Sequence, residues 1–278
     1  MKHVLVISFF LPLGVCGQPN CQAFLYDGDT LQYKACKLIE DIDKRYYQFS
    51  REYQELMDEA LEICPYFAYA YREKSSAYVK SGNFIMWKKL IDKAVEYAPQ
   101  DYLGVRASLK FKMFADYKGA IEDINKLDSL FDYDIGPTSN GIYHLNIAKA
   151  LCYKALGQKE KAIEIVEDQL EKDAHYLGAY DYLHLGVLYF ETNRLQKAID
   201  AFQQQEEENN LAENHFYLAL VYKELGQIDQ YIKHLEEANS LYNNRYHMFD
   251  SYNHLLDEIF LENIENEIKT ATTLAKQP

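Results

Sequence analysis

The groups in this chain that could do chemistry are eight histidines, five cysteines and 43 acidic side chains, and their spacing decides what kind of chemistry is available. A zinc hydrolase would place two histidines four residues apart with a glutamate between them. His144, His175, His184, His215, His234, His247 and His254 are scattered and make no such pair. His144 alone follows a turn-rich stretch, Asp132 to Gly141, where a general base could face a loop. The plainer reading is a polar residue that starts a helix. Glu206-Glu207-Glu208 and the pair Asp132/Asp134 could suggest metal or acid–base work, but a solvated helix end and a turn explain them more simply. The glycines form no phosphate-binding loop. No cysteine lies in a CxxC unit or stands at zinc-ligand spacing from a histidine. The sequence therefore predicts no catalytic residues, no metal and no cofactor, and points to binding.

The partners are bounded by charge. A formal net charge of −14 repels phosphate backbones and anionic lipid unless a local basic patch reverses it, and no Lys/Arg cluster is long enough to do so. Nucleic acid is not an expected partner. Met1-Lys2-His3 followed by an apolar run, Val4 to Leu13, and then Val15-Cys16-Gly17 reads as a secretory signal over 1–17, cut after Gly17. A rival reading lipidates Cys16, which would give the only membrane association, although Val15 fits poorly before a lipid-carrying cysteine. Either way the expected location is exported, periplasmic or secreted. There Cys21, Cys36, Cys64 and Cys152 meet conditions that permit pairing. Buried free thiols are one reading. The other is a single bridge, Cys36–Cys64, across the open end of one helix pair.

The elements that position these groups follow from an internal repeat. Tyr182-Leu183-His184-Leu185-Gly186-Val187-Leu188-Tyr189, then Ala198 and Phe202, recurs as Leu218-Ala219, Tyr222, Gly226, Tyr231, Leu235 and Ala238. Small residues recur at 75, 108, 150, 186 and 219, spaced by 33, 42, 36 and 33. A small side chain is needed where two helices cross closely. Gly82, Gly157 and Gly226 end first helices, and Pro65 and Pro99 stop second helices. With these landmarks the chain resembles the tetratricopeptide repeat family, whose unit is ~34 residues. The resemblance implies an all-α fold, a right-handed superhelical solenoid of about six helix pairs with a C-terminal capping helix.

The expected boundaries are a segment 18–33, then units near 34–67, 68–100, 101–134, 143–178, 179–211 and 212–244 in an array spanning 34–249. An inserted loop is expected at 132–142, a capping helix at 250–270 and a disordered tail at 271–278. Trp87 and Tyr231 replace the usual small residue, so their crossings should be wider. Lys149 stands where the repeat has Leu. Apolar residues alternate from Leu103 to Met113 as in a strand, but the flanking repeats overrule that period.

The family resemblance also places the first helix of each unit on a concave face. That face would carry Tyr102, Val105, Leu109, Met113, Ile147, Leu151, Tyr180, Leu183, Val187, Phe190, Phe216 and Leu220, with Lys80, Lys112, Lys154 and Lys223 at its rim. Left open, such an apolar stripe would take a peptide or helix of another exported protein with acidic character. Three plainer readings remain: the stripe is core, the C-terminal helix fills it, or the lysines only complement helix ends. The 25 tyrosines suggest an alternative, glycan or small-ligand binding on exposed rings. An enzyme centred on the inserted loop and His144 is the third hypothesis.

Overall fold

A computed structural model describes residues 19–172 and 176–274. Among the described residues the chain is all-helical apart from one isolated antiparallel bridge, Pro137 to His144. It divides into two compact units, Met1–Pro99 and Gln100–Pro278. The signal-peptide reading and Cys16 lie outside the described residues.

The first unit holds α1 (Cys21–Tyr26), α2 (Thr30–Ile39), α3 (Ile42–Arg45), α4 (Arg51–Ile63), α5 (Ala68–Lys80) and α6 (Phe84–Tyr97). Asn20, Asp29, Ser50 and Asn83 start α1, α2, α4 and α6, each side chain accepting a first-turn amide that would otherwise lack a partner. The apolar faces of α2 and α4 then close on Ile39, Tyr53, Met57 and Ala60, all fully buried. The expected bridge Cys36–Cys64 is corrected here. Cys36 is bonded to Cys21, and Cys64 is a buried free thiol. The described residues 19–33 are largely helical, and α1 packs on α2, bringing the Cα atoms of Cys21 and Cys36 to 5.4 Å. That separation is one a disulfide can span.

The second unit holds α7 (Pro99–Phe114, its first residue at the boundary), α8 (Tyr117–Asp128), α9 (Leu145–Ala155), α10 (Lys159–Leu170), α11 (Asp181–Glu191), α12 (Leu195–Glu208), α13 (Ala212–Glu224), α14 (Ile228–Asn243) and α15 (Leu261–Leu274). The strand-like segment 103–113 lies within α7. Helices pack as sequential hairpins, α9 with α10, α11 with α12, α13 with α14, and α15 docks on α14. Gly186 shows why the crossing position must be small. A Cβ there would lie 2.5 Å from Cε1 of Phe202, a fully buried ring.

Three boundaries differ from expectation. The inserted loop is longer than 132–142, since no helix covers 129–144. The expected capping helix 250–270 begins only at Leu261, and 245–260 runs as an irregular strap. Arg245 and Asp257 have φ of 67° and 65°, a left-handed backbone that a right-handed helix cannot continue through. Of the tail expected to be disordered, 271–274 belong to α15, and 275–278 lie outside the described residues.

Candidate functional site

The first helices of the second unit do converge, and what lies on them is the chain's own C-terminal strap. Ile147, Leu151, Leu183 and Val187 are buried in one apolar cluster with Met248 and Leu255 of the strap. Phe216 is buried in another with Ile259 and Ile264, against which Leu220 packs. Tyr102, Val105, Leu109, Met113, Tyr180 and Phe190 are half-buried. Over α9, α11 and α13 the stripe that the sequence placed on a concave face is thus covered, and among its twelve residues none is exposed.

Charge follows the same path. Lys112 donates to Asp250 at 2.6 Å, Lys154 to Asp257 at 2.5 Å and Lys223 to Glu267 of α15 at 2.7 Å. The first two pairs are nearly sealed from water, with side-chain exposures of 10% and 4% for Lys112 and Asp250 and 8% and 7% for Lys154 and Asp257. Burial pushes the Asp257 carboxyl up, but the Lys154 charge and the His184 hydrogen bond hold it below the ordinary carboxylate range. Asp250 behaves alike, burial being outweighed by Lys112 and by backbone amides. Lys80, the fourth expected rim lysine, belongs to the first unit, where it faces Gln48 Oε1 at 3.5 Å and lies over the Phe49 ring.

The strap's backbone is held by side chains of the helices beneath it. Met248 N–H donates to Glu213 at 3.0 Å, Phe249 N–H to the Tyr180 hydroxyl at 3.4 Å, and Ala212 N–H to the Tyr246 carbonyl at 2.8 Å. Burial raises the Glu213 carboxyl, and the amide of Met248 pulls the other way. His184, fully buried, donates from Nδ1 to Asp257 at 2.7 Å, which leaves Nε2 as acceptor 3.3 Å from the Tyr143 hydroxyl. Sequence reasoning did not single out Asp250, Asp257, Glu213 or His184. Asp250, Asp257 and Glu267 carried a signal in their match to three lysines, but those lysines precede them by 138, 103 and 44 residues.

The other candidates resolve locally. His144 is fully buried as the cap of α9: Nδ1 accepts from Asn146 N–H and Nε2 donates to Asp134, each at 3.0 Å. Both ring nitrogens are engaged, so neither is left to act as a base. Tyr231, standing where the repeat has alanine, is fully buried and reaches α15 through Glu267. A histidine pair lies between α13 and α14. His215 donates from Nε2 to Asn210 and accepts at Nδ1 from His234, 3.0 Å away, while His234 stacks on Tyr222. Burial, then the His215 charge, holds His234 down to about 4. A sugar platform would need coplanar exposed rings. The pairs Tyr47/Phe49 and Phe131/Tyr133 are tilted by 35° and 36°.

Residues 68–101, 143–174 and 182–209 match the tetratricopeptide repeat family. No curated protein matches the chain. Among solved structures the chain is similar to PilW, described as a widely conserved type IV pilus biogenesis factor, with a TM-score of 0.57 and 14% identity over 87% of this chain and 98% of that one. It is also similar to Pseudomonas aeruginosa PilF, with a TM-score of 0.53 and 14% identity over 80% and 89% of the two chains. A third is yeast Tom70, with a TM-score of 0.53 and 16% identity over 89% of this chain but 47% of that one. At these identities the likeness is one of fold.

Proposed function

We propose, from the premise that this chain is a tetratricopeptide-repeat protein, that it is a non-catalytic scaffold in the periplasm or at the cell envelope. It binds a segment of another exported protein along the first-helix face of its second unit. The observation that carries this reading is the strap itself. The face already holds an irregular, non-helical segment, gripping its backbone through Glu213 and Tyr180 and its acids through Lys112 and Lys154. That is how a peptide groove works: polar side chains fix the backbone, pockets take alternate apolar residues, and basic groups read the charge. Export rests on the signal-like residues 1–17, and envelope placement agrees with what PilW is described as doing.

The test is capture from envelope extract on immobilised full chain, beside Leu109→Asp and Leu220→Asp. Both residues are half-buried on this face and tolerate a polar replacement better than Val187, which is 1% exposed. A partner held by the wild type and lost from both folded variants supports the reading. Retention of every partner by both folded variants refutes it.

A further inference from the structure

We propose that the strap 245–260 is a displaceable occupant of this face, and that the partner which replaces it is an extended acidic segment of the same pattern: an apolar anchor two residues before an aspartate, then Leu-Leu-Asp-Glu-Ile. This rests on the scaffold reading and deepens it by naming the partner's chemistry and the regulation of the site.

Four features distinguish the strap from ordinary core. It contributes no helix, and the backbone contacts that tie Tyr246, Met248 and Phe249 down come from Tyr180, the cap residue of α11, from α13, and from Leu241 of α14. Its grip is concentrated in a few points, namely Met248, Leu255 and Ile259 as buried anchors and the two aspartates seven residues apart. Arg245 and Asp257 are held with φ of 67° and 65°, a conformation that costs a non-glycine residue energy, and the Asp257 carboxylate is bound on two sides. Finally, docking leaves large rings in water: Tyr246, Phe249, Tyr252 and Phe260 are all exposed. A segment that strains two residues and wastes four aromatic faces is a competent ligand and an improvable one. A partner with the same acids, free of the left-handed residues, would bind the same lysines at lower cost.

While the strap is docked, the apparent affinity for such a partner falls by the fraction of molecules that are open. Asparagine at 250 and 257 would leave Lys112 buried without its carboxylate, and Lys154 with only the longer contact to Glu191 at 3.4 Å. That penalty falls on the closed state alone, because an open face lets both lysines hydrate. The double variant Asp250→Asn/Asp257→Asn should therefore open the strap and gain affinity for an acidic peptide added in trans.

The experiment uses the full chain and a labelled synthetic peptide of residues 245–260. Hydrogen exchange should rise in 245–260 of the double variant while α9 and α11 keep their protection. Fluorescence anisotropy should show at least ~10-fold tighter peptide binding than the wild type. Adding Lys112→Met to the variant, or Asp250→Asn/Asp257→Asn to the peptide, should remove that gain. Three results overturn the proposal: exchange that rises in α9 and α11 together with the strap, which makes the strap core; an opened strap with no peptide bound; or a strap that stays protected without either carboxylate. The scaffold reading fails separately, by retention of every partner on folded Leu109→Asp and Leu220→Asp. If the peptide fails while a captured partner still depends on those two residues, only the partner's chemistry and the latch are wrong.

Discussion

Replacing Gly186 with alanine sets two opposing effects against each other. Alanine in mid-helix is worth ~1 kcal/mol over glycine when nothing else changes. Against it stands the Phe202 ring, whose Cε1, Cδ1 and Cζ would lie 2.5, 2.6 and 2.9 Å from the new Cβ. Three consecutive ring atoms face the added carbon, so turning the ring does not clear it, and the ring has no exposed surface to slide into. Either α11 or α12 must move by close to an ångström. Overpacking of that kind costs ~1–3 kcal/mol, occasionally more, and a rigid ring between two helices belongs at the upper end. The net expectation for Gly186→Ala is a loss of about 1–2 kcal/mol, or roughly 2–8 °C in Tm for a unit of this size. Thermal unfolding followed by circular dichroism measures it, and Phe202→Leu supplies the control. In the Gly186→Ala background that substitution should cost at least about 1 kcal/mol less than in the wild type, a coupling typical of residues in contact. A higher Tm for Gly186→Ala, or a double-mutant cycle with no coupling, would refute the close-crossing argument.

Three further outcomes are expected. Reduction should destabilise the first unit by ~3 kcal/mol, the value for a closed loop of about 15 residues, and Cys64→Ala should show the same drop on reduction; a Cys64→Ala protein insensitive to reductant would restore the Cys36–Cys64 pairing. Acidification should weaken the α13/α14 pair. The folded His234 pKa of about 4 lies below the ordinary 6.5, so the unfolded chain takes up the proton first, and the stabilisation present above pH 6.5 is lost as pH falls towards 4. Denaturant titrations across that window check this, and a His234→Gln protein should show a shallower decline. Glu267→Gln should loosen α15 by ~1–2 kcal/mol, because Lys223 and the Tyr231 hydroxyl lose a charged acceptor at a partly exposed site. Faster amide exchange confined to 261–274 is the expected signature, and unchanged exchange there would count against it.

The repeat was legible because its signals are local. A small residue at a crossing, a glycine at a turn and an apolar period each report on neighbours within one helical hairpin. The bridge was not, because Cys21 belongs to a six-residue helix too short to show periodicity. The strap misled for a related reason. Leu255, Leu256, Ile259, Phe260 and Ile264 are spaced as on a helix, and only the last of them is in one. The spacing satisfies two different neighbours instead: Leu255 joins the cluster of α9 and α11, and Ile259 joins that of α13 and α15. Tertiary anchoring of Asp257 overrides local preference, and nothing within ten residues of it in sequence records that Lys154 and His184 wait for it. The twelve stripe residues fall on α7, α9, α11 and α13, with Tyr180 at the cap of α11, but which surface lies against them is a long-range fact.

The strap also sets an order of events. Hairpins such as α11/α12 close contacts between near neighbours in sequence and can form as the chain emerges. The ties from Lys112 to Asp250 and from Lys154 to Asp257 span 138 and 103 residues, so their loop-closure cost is met last. Synthesis runs from the N-terminus, and a domain's early parts fold before its end exists. For that interval the second unit has a bare apolar face, with Lys112 unpaired and Lys154 held only by Glu191. The strap, made after these helices, then covers the face and supplies the missing carboxylates, which limits the time that apolar surface spends open to aggregation.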